Sequence, residues 1–436
     1  MNNKLPKVLV VGQSFNYSSG GGVTLSNLFI NWKDSDRVFS IHLGKENVDY
    51  TICKEVYSFS SRERTPFIFS HFLNKNKKLK RSNEELNDLI DVKTSKKQQI
   101  RTFFYNSAII LGINHFFHIY KLSDNLKKWL IDLKPDILYV QFSNFSSMRF
   151  IIKLSRFLDI PVVVHIMDDW ISIPPISNTK TNIKENFITR KVFSHLNKSY
   201  FKRILKIAKV RFAISETMAL EYRKRYNLNF SVAHNYVDLK GWDYSVKKLR
   251  DKDKIIIRYF GTINLKNIDI IRFFITSISR KKEYKFEIFT TKNDLTNSLH
   301  GNNTHVYKML NQKEYKMKLL DSDLLLLPLS FDNISEKYTK LSIPTKLSEY
   351  LISGVPTLVF SPPSSALYKF CSTYNCAYLL SEKSKKMVSN SLDELKNSDE
   401  LYESISKRAI EVANERLSKE VILSNFENKF KEIILN

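Results

Sequence analysis

Two apolar runs, DILYVQ at residues 136–141 and PVVVHI at residues 161–166, decide the fold. Both have the length and the β-branched composition of strands. Between them, residues 148–158 have the spacing of apolar side chains that is typical of a helix. Two strands joined through a helix run parallel, because the chain must cross over before it can return in the same direction. This stretch therefore predicts a βαβ unit and a parallel sheet.

The same alternation extends in both directions along the chain. Towards the N-terminus, an apolar strand at residues 8–11 leads into a glycine-rich loop and a helical pattern at 23–32. Towards the C-terminus, the strand pattern KIIIRYF at 254–260 begins a second series of alternating strands and helices. Two successive series predict two doubly wound α/β domains, whose ligands bind at the carboxyl ends of the strands. Further strands are predicted at 211–214, 230–233, 285–290, 323–328 and 356–360, and helices at 216–226 and 393–431.

The length of 436 residues exceeds what one hydrophobic core usually organises, and 43% hydrophobic residues suffice to fill two cores. This composition excludes intrinsic disorder for most of the chain. We expect a first domain at 1–240, with a basic insertion at about 75–130, and a second at 254–415. The charged segment 240–254 is the expected linker. A C-terminal helix at 416–436 could pack back on the first domain.

The net charge of +25 favours anionic partners such as nucleic acid, anionic lipids or phosphorylated substrates. Because the lysines are spread along the whole chain, we do not expect a nucleic-acid-binding face. Three cysteines without metal-ligand spacing indicate a reduced, cytoplasmic compartment, and no apolar run predicts a transmembrane helix. Residues 102–120, flanked by basic residues, are either an interfacial segment or a buried helix. The first interpretation places the protein at the inner face of the cell membrane.

The first strand runs into a glycine-rich loop, SSGGGVT at residues 18–24. Backbone N–H groups at a helix N-terminus bind anions, and residues without a β-carbon allow a ligand to approach closely. Gly21 and Gly22 are therefore candidates for seating a diphosphate or a sugar. A flexible strand-to-helix turn is the alternative, and a glycine triplet alone does not decide between them.

A polar cluster, HIMDDW at residues 165–170, follows the strand that closes the first βαβ unit. His165 is a candidate for hydrogen bonding to a sugar hydroxyl or a phosphate. Asp168 or Asp169 is a candidate for orienting an acceptor hydroxyl or acting as a base. The alternative is a buried histidine followed by a carboxylate that caps the next turn, and the residue types alone favour that alternative.

The stretch SIPTKLSEYLISGVP at residues 342–356 is the most informative for function. Pro344 and Thr345 predict the start of a helix, and Gly354 predicts its end. The N-terminus of such a helix offers free N–H groups and the positive end of the helix dipole to a diphosphate.

Two side chains of this helix fit a nucleoside diphosphate. Lys346, in the first turn, adds a positive charge for the phosphates, and Glu349, about one turn further on, could accept both hydroxyls of a ribose. An ordinary capped surface helix with paired charges is the alternative.

The stretch PTKLSEYLISGVPTL, at residues 344–358, resembles the donor-site signature of glycosyltransferase family 4. Four further segments resemble the family in the same order: GGGVTLSNLF at 20–29, HIMDDW, residues 213–238, and RYFGTINLKN at 258–267. The ordered set is far more specific than any one member, and it spans most of the chain.

This resemblance implies an α/β GT-B fold, in which two Rossmann-like doubly wound domains face each other across a cleft. It implies a retaining, metal-independent transfer of a sugar from a nucleotide-sugar donor to a glycan or lipid-linked acceptor, in cell-surface polysaccharide synthesis. No further cofactor is implied. The residues that match the catalytic positions are His165, Asp168, Asp169 and Lys346. Those that match the donor-binding positions are Gly21, Gly22, Gly261, Thr262, Lys266, Thr345, Lys346, Leu347 and Glu349.

Two departures from the family pattern keep other functions open. Leu341 stands where the family often has an earlier glutamate, and Thr262 where it often has an arginine. A sugar-nucleotide 2-epimerase of the same fold is one alternative, and a non-catalytic GT-B-like protein that binds a glycan or a partner is another. An RNA-binding protein is the least favoured, because no RNA-binding motif accompanies the basic charge.

Overall fold

A computed structural model describes residues 5–17, 19–33, 35–43, 48–60, 63–65, 107, 119–172, 186–246, 251–291 and 293–435. Most of the predicted basic insertion at 75–130, and most of the predicted interfacial segment at 102–120, lie outside these residues. Within them, the chain forms two parallel β-sheets covered by helices. None of the helices among them is long and apolar enough to cross a membrane.

The first sheet has seven strands in the order β3-β2-β1-β6-β7-β8-β9. Strand β1 pairs in parallel with β2 and β6, and β6 pairs in parallel with β7, so the parallel βαβ unit predicted from the sequence is confirmed. A separate antiparallel pair is formed by β4 and β5. The strands are β1 (Val8–Gly12), β2 (Val38–His42), β3 (Glu55–Ser58), β4 (Arg64–Thr65), β5 (Ile119–Tyr120), β6 (Ile137–Val140), β7 (Val162–Ile166), β8 (Ala208–Ala213) and β9 (Ser231–Val232).

The second sheet has six strands, all parallel, in the order β12-β11-β10-β13-β14-β15. The order reverses at β10, so the chain crosses from one half of the sheet to the other between β12 and β13. Its strands are β10 (Ile255–Phe260), β11 (Tyr284–Thr290), β12 (Thr304–Lys308), β13 (Leu324–Pro328), β14 (Thr357–Phe360) and β15 (Tyr378–Leu380).

Helices connect most of these strands, and serine or asparagine side chains cap many of their N-termini. The helix predicted at 216–226 is confirmed at both ends, because Ser215 accepts a hydrogen bond from the Met218 N–H and Asn227 ends it in the left-handed region. The helices are α1 (Gly20–Leu28), α2 (Asp124–Leu133), α3 (Phe145–Leu158), α4 (Phe187–Ile207), α5 (Glu216–Tyr226), α6 (Ile268–Ile278), α7 (Gln312–Leu320), α8 (Asn333–Thr339), α9 (Leu347–Ile352), α10 (Ala366–Tyr374), α11 (Lys385–Asn397), α12 (Asp399–Arg416) and α13 (Lys419–Leu435).

Alternate residues of β10 lie on opposite faces of the second sheet. Ile257 and Tyr259 enter the core that α6 and α11 cover, whereas Phe260 enters the core that α9, α10 and α12 cover. Arg258 lies on the same face as Phe260 and is 1% exposed. Its guanidinium donates to the Glu287 carboxylate at 2.7 Å, so the buried charge is paired.

The described chain divides into two compact units. One comprises Met1–Ser14, Ser35–Val164 and Trp170–Lys209, and the other comprises Phe15–Asp34, His165–Asp169 and Val210–Asn436. All of the predicted site residues belong to the second unit, although they come from segments distant in the sequence. The domain limits expected from the sequence stay a prediction.

Helix α13 contributes aromatic side chains to the second unit. Phe426 and Phe430 lie 5.4 and 6.1 Å, centroid to centroid, from the ring of Phe29 just after α1. Phe426 also lies 5.1 Å from Phe212 at the end of β8. These contacts hold the C-terminal helix against the two elements that carry the glycine loop and the end of β8.

Candidate functional site

Helix α9 is shorter than the sequence predicts. It begins at Leu347 and not at Pro344 or Thr345, because the Leu347 N–H bonds to the Pro344 carbonyl and closes a turn before the helix. Lys346 therefore occupies the N-cap position and makes no side-chain capping bond. The predicted end is confirmed, since Gly354 follows the last turn with φ +63°.

The ammonium group of Lys346 lies over Gly261, the residue that follows β10. A β-carbon at Gly261 would come within 1.6 Å of the Lys346 Nζ atom, and Gly261 has φ +143°. The same Nζ atom lies 5.2 Å from the centroid of the Tyr259 ring. A β-carbon at position 261 would be strained at this φ and would displace the cation from its place over the backbone.

The Lys346 amine is half-buried, and burial lowers its pKa to about 8, although the Glu349 carboxylate nearby acts in the opposite direction. Within the described residues the amine forms no hydrogen bond or ion pair. A partly desolvated cation without a paired anion favours the binding of an anionic ligand.

Glu349 lies three residues further along the chain, and a tyrosine holds its carboxylate. The Tyr315 hydroxyl on α7 donates a hydrogen bond of 2.8 Å to Glu349 Oε2. Burial raises the pKa of Glu349, while this hydrogen bond and the Lys346 charge lower it. Gly261, Tyr315, Lys346 and Glu349 are called the Lys–Glu cluster below.

The loop after Gly261 is held by its own hydrogen bonds. The Asn267 side chain donates to the Tyr259 hydroxyl at 2.9 Å and to the Thr262 carbonyl at 3.0 Å. Thr262 itself is exposed at the tip of this loop. Lys266 is half-exposed, and its Nζ atom lies 4.0 Å from Asp168 Oδ1.

The two carboxylates of the HIMDDW segment have different surroundings. Asp168 is about half exposed and accepts a hydrogen bond of 3.1 Å from the Ser342 hydroxyl. Asp169 is 3% exposed and accepts from the Tyr222 hydroxyl at 2.6 Å and from Arg225 Nη1 at 2.9 Å. Asp169 is therefore a buried carboxylate that pairs with the partly exposed Arg225, whereas Asp168 is accessible to a substrate.

His165 is 2% exposed, and its ring packs edge-on against Phe212 with the centroids 5.9 Å apart. Burial lowers its pKa to about 3, despite a hydrogen bond to the Ala233 backbone that acts in the opposite direction. The imidazole is therefore neutral at physiological pH. It can exchange hydrogen bonds but carries no charge.

The glycine loop lies beside the turn that precedes α9. A β-carbon at Gly20 would make an ordinary contact of 3.7 Å with the Thr345 side chain. A β-carbon at Gly22 would come within 2.4 Å of Asn16 Oδ1, so the packing of α1 requires this glycine. Gly21, between them, is half-buried in the first turn of α1.

Sequence reasoning missed two residues of this site, Tyr315 and Asn235. Asn235 accepts from the Asn27 side chain at 2.8 Å and donates to the Thr345 carbonyl at 3.1 Å. It therefore links α1 to the turn before α9. Its position just after β9, at the carboxyl end of a strand, was a usable signal, whereas nothing in the sequence around Tyr315 indicated its role.

Leu341 also has a defined structural role. Its side chain is 2% exposed, and its carbonyl accepts a hydrogen bond of 2.6 Å from the Ser215 hydroxyl. An apolar residue here anchors the segment that leads to α9. In the part of the chain that the structure describes, no group of three or more His, Cys, Asp or Glu residues could hold a metal ion.

No protein-family model matches the chain, and no curated protein matches it. Solved structures do match it over nearly its whole length. A glycosyltransferase from Rickettsia africae ESF-5 is 11% identical, with a TM-score of 0.62 and coverage of 100% of both chains. Anabaena Alr3699/HepE in complex with UDP is 12% identical, with a TM-score of 0.61 and coverage of 98% of this chain and 100% of that one.

A third similar structure is a mutant of S. aureus TarM in complex with fondaparinux, α-GlcNAc-glycerol and UDP. It is 13% identical, with a TM-score of 0.55 and coverage of 98% of this chain and 100% of that one. At these identities the likeness concerns the fold. Together with the two parallel sheets, it shows that the chain has the α/β GT-B fold, and its structural neighbours are GT-B glycosyltransferases.

Proposed function

We propose that the chain is a retaining glycosyltransferase similar to family 4, which transfers a sugar from a nucleotide-sugar donor to a glycan or lipid-linked acceptor in the cytoplasm. The proposal includes metal-independent transfer and a role in cell-surface polysaccharide synthesis. The observation that carries it is the Lys–Glu cluster. There, a half-buried cation that forms no ion pair with the described residues lies over a glycine, next to a carboxylate held by a tyrosine.

The Lys–Glu cluster fits two parts of a nucleoside diphosphate, the anionic diphosphate and the polar ribose. The Lys346 ammonium would bind the diphosphate, and a hydrogen bond to a charged group of this kind contributes roughly 1.5–3 kcal/mol. The Tyr315 hydroxyl donates to Oε2 of Glu349, and Oε1 would accept from ribose hydroxyls. Lys266, Thr262, Thr345, Leu347 and the glycines at 21 and 22 are the remaining proposed donor contacts.

Breaking the bond between the anomeric carbon and the diphosphate places negative charge on the departing phosphate. A cation already held in place stabilises that charge without reorganisation in the transition state. Lys346 is therefore the principal catalytic residue of the proposal. His165, which is neutral, would hydrogen-bond the sugar.

Asp168 is the carboxylate that we assign to the acceptor side. It is the accessible member of the pair, and Lys266 and Ser342 lie beside it. Asp169 was an equal candidate from the sequence. Its contacts with Tyr222 and Arg225 instead favour a role in holding the segment in place.

The structural neighbours support a nucleotide-sugar donor by analogy. Structures of HepE contain UDP or UDP-glucose, and the TarM structure contains UDP together with α-GlcNAc-glycerol. UDP is therefore the first nucleotide to test on this chain.

The test is a thermal-stability screen with UDP, GDP, ADP and their sugar conjugates. A ligand that binds only the native state raises the melting temperature, by an amount that follows its affinity. We expect one nucleotide to stabilise the wild-type chain and to fail with Lys346→Met, while an exposed-lysine variant, Lys407→Met, responds like the wild type. If no nucleotide stabilises the wild type, the chain is a non-catalytic GT-B protein and the proposal is wrong.

Product analysis then separates transfer from rearrangement. We expect the stabilising sugar nucleotide to remain intact without an acceptor, and a new glycoside to form when glycan acceptors are added. A sugar nucleotide rearranged in the absence of any acceptor would instead identify a 2-epimerase.

A further inference from the structure

Two neighbouring helices of the first unit contain no acidic residue. Helix α3 has 14 residues and α4 has 21, whereas the chain as a whole has 44 acidic residues in 436, so several would be expected over this length. Their basic residues are Arg149, Lys153 and Arg156 on α3 and Arg190, Lys191, Lys198, Lys202, Arg203 and Lys206 on α4.

The two helices pack side by side through aromatic contacts. The Phe145 ring of α3 lies 6.0 Å from Phe193 and 4.9 Å from Tyr200 of α4, centroid to centroid. Lys153 and Arg156 of α3 are exposed, and so are Lys198, Lys202 and Lys206 of α4. We call the exposed residues of α3 and α4 the basic helix surface.

Along α4 the exposed residues recur every three or four positions, so they form a stripe roughly 30 Å long. The C-terminal part of the stripe is basic. The N-terminal part exposes three large apolar side chains, because Phe187, Ile188 and Val192 are 66%, 68% and 50% exposed, and Lys191 is exposed among them. Arg190 lies next to them, with its guanidinium 5.7 Å from the centroid of the Phe187 ring.

We propose that the basic helix surface docks on an anionic lipid bilayer. A bilayer can bind both the basic and the apolar part of this surface. Its anionic headgroups neutralise the cations, and its acyl region accepts the apolar end. A soluble polyanion such as nucleic acid would pair with the cations but would leave Phe187, Ile188 and Val192 in water. The apolar end therefore decides between the two partners.

This inference goes beyond the proposed function and uses different residues. The basic helix surface lies in the first unit, and the Lys–Glu cluster lies in the second. A bilayer contact would bring the protein to lipid-linked molecules. The docking surface and the nucleotide site can therefore be tested, and can fail, separately.

The experiment measures cosedimentation of the full chain with vesicles. We expect binding to equal parts of phosphatidylglycerol and phosphatidylcholine, no binding to phosphatidylcholine alone, and weaker binding as salt is added. The triple variant Lys198→Gln, Lys202→Gln, Lys206→Gln should bind roughly a hundredfold more weakly, because each cation near an anionic surface contributes a factor of about five.

A matched control removes the same charge elsewhere. Lys313, Lys407 and Lys431 are exposed lysines on α7, α12 and α13, and their triple glutamine variant should bind vesicles like the wild type. Equal losses in both triple variants would show attraction by net charge alone and would overturn the proposal. All variants should keep the wild-type melting temperature and its response to nucleotides.

A second variant tests the apolar end. Phe187→Ser with Ile188→Ser should lower vesicle binding at least tenfold, because two exposed apolar side chains no longer enter the bilayer, and should leave binding to soluble polyphosphate unchanged. The bilayer proposal is wrong if this variant binds vesicles as the wild type does and if polyphosphate displaces the variant and the wild type from vesicles equally. The surface would then bind polyanions in general.

Discussion

Replacing Lys346 with methionine tests the Lys–Glu cluster most directly. Methionine keeps an unbranched stem and removes the ammonium group that lies over Gly261. We expect the affinity for UDP to fall by about 1.5–3 kcal/mol, which is roughly a ten- to 150-fold increase in Kd. The Lys407→Met variant is the control for loss of a lysine.

The lowered pKa of Lys346 predicts that nucleotide binding takes up protons, which a lysine with a purely structural role would not cause. With a pKa of about 8 in the folded chain, half of the molecules carry a neutral amine at pH 8 and about a tenth at pH 7. A bound diphosphate favours the charged amine, so binding takes up about half a proton at pH 8 and about a tenth at pH 7. At pH 8 the terminal phosphate of the nucleotide is already ionised, so it releases almost no protons when it binds.

Isothermal titration calorimetry in buffers of different ionisation enthalpy measures this uptake. The wild type should show it, and Lys346→Met should not. The pH dependence of the free energy of unfolding gives a second check on the direction of the pKa shift. Because folding lowers the pKa of Lys346 from 10.5, the unfolded chain holds the proton more tightly, and stability rises as the pH increases from about 8 to 10.5. Unchanged affinity and unchanged proton uptake in the variant would refute the reasoning.

Three further substitutions test the packing around the site. Tyr315→Phe removes the hydrogen bond that holds the carboxylate of the Lys–Glu cluster, and should weaken UDP binding by about 0.5–1.5 kcal/mol in calorimetry. Gly261→Ala places a β-carbon on the cluster's ammonium group and should weaken binding more than tenfold, whereas Gly20→Ala, with an ordinary 3.7 Å contact, should not. Glu287→Leu leaves the buried Arg258 without its main partner and should cost about 3–5 kcal/mol in urea unfolding. Adding Arg258→Met should recover most of that loss, and a double variant as unstable as the single one would contradict this account.

The sequence predicts most of the strands that are buried on both faces, because these are short apolar runs bounded by turns. It does not predict β2, although all five residues of that strand are buried. β7, β10 and β13 all lie within one or two residues of their predicted limits. It does not predict β12 or β15, which form the two edges of the second sheet. Tyr307 of β12 and its neighbours are partly exposed and mixed in polarity, so no apolar run marks that strand.

The site was predictable where its residues are close in sequence and not where they are distant. Lys346 and Glu349 could be recognised together, because they are only three positions apart. The partner of Glu349 is Tyr315, 34 positions away, and the partner of Asp169 is Tyr222, 53 positions away. Periodicity describes one element at a time, so it cannot show which side chains of different elements meet.

The half-buried amine of Lys346 also makes the chain selectively reactive. Acylating reagents attack neutral amines, and at mildly alkaline pH an amine with a pKa of about 8 is neutral far more often than an ordinary surface lysine. A limiting amount of such a reagent should therefore modify position 346 ahead of the many other lysines. Mass spectrometry of the digested protein would locate the adduct, and a nucleotide seated on the amine should protect it.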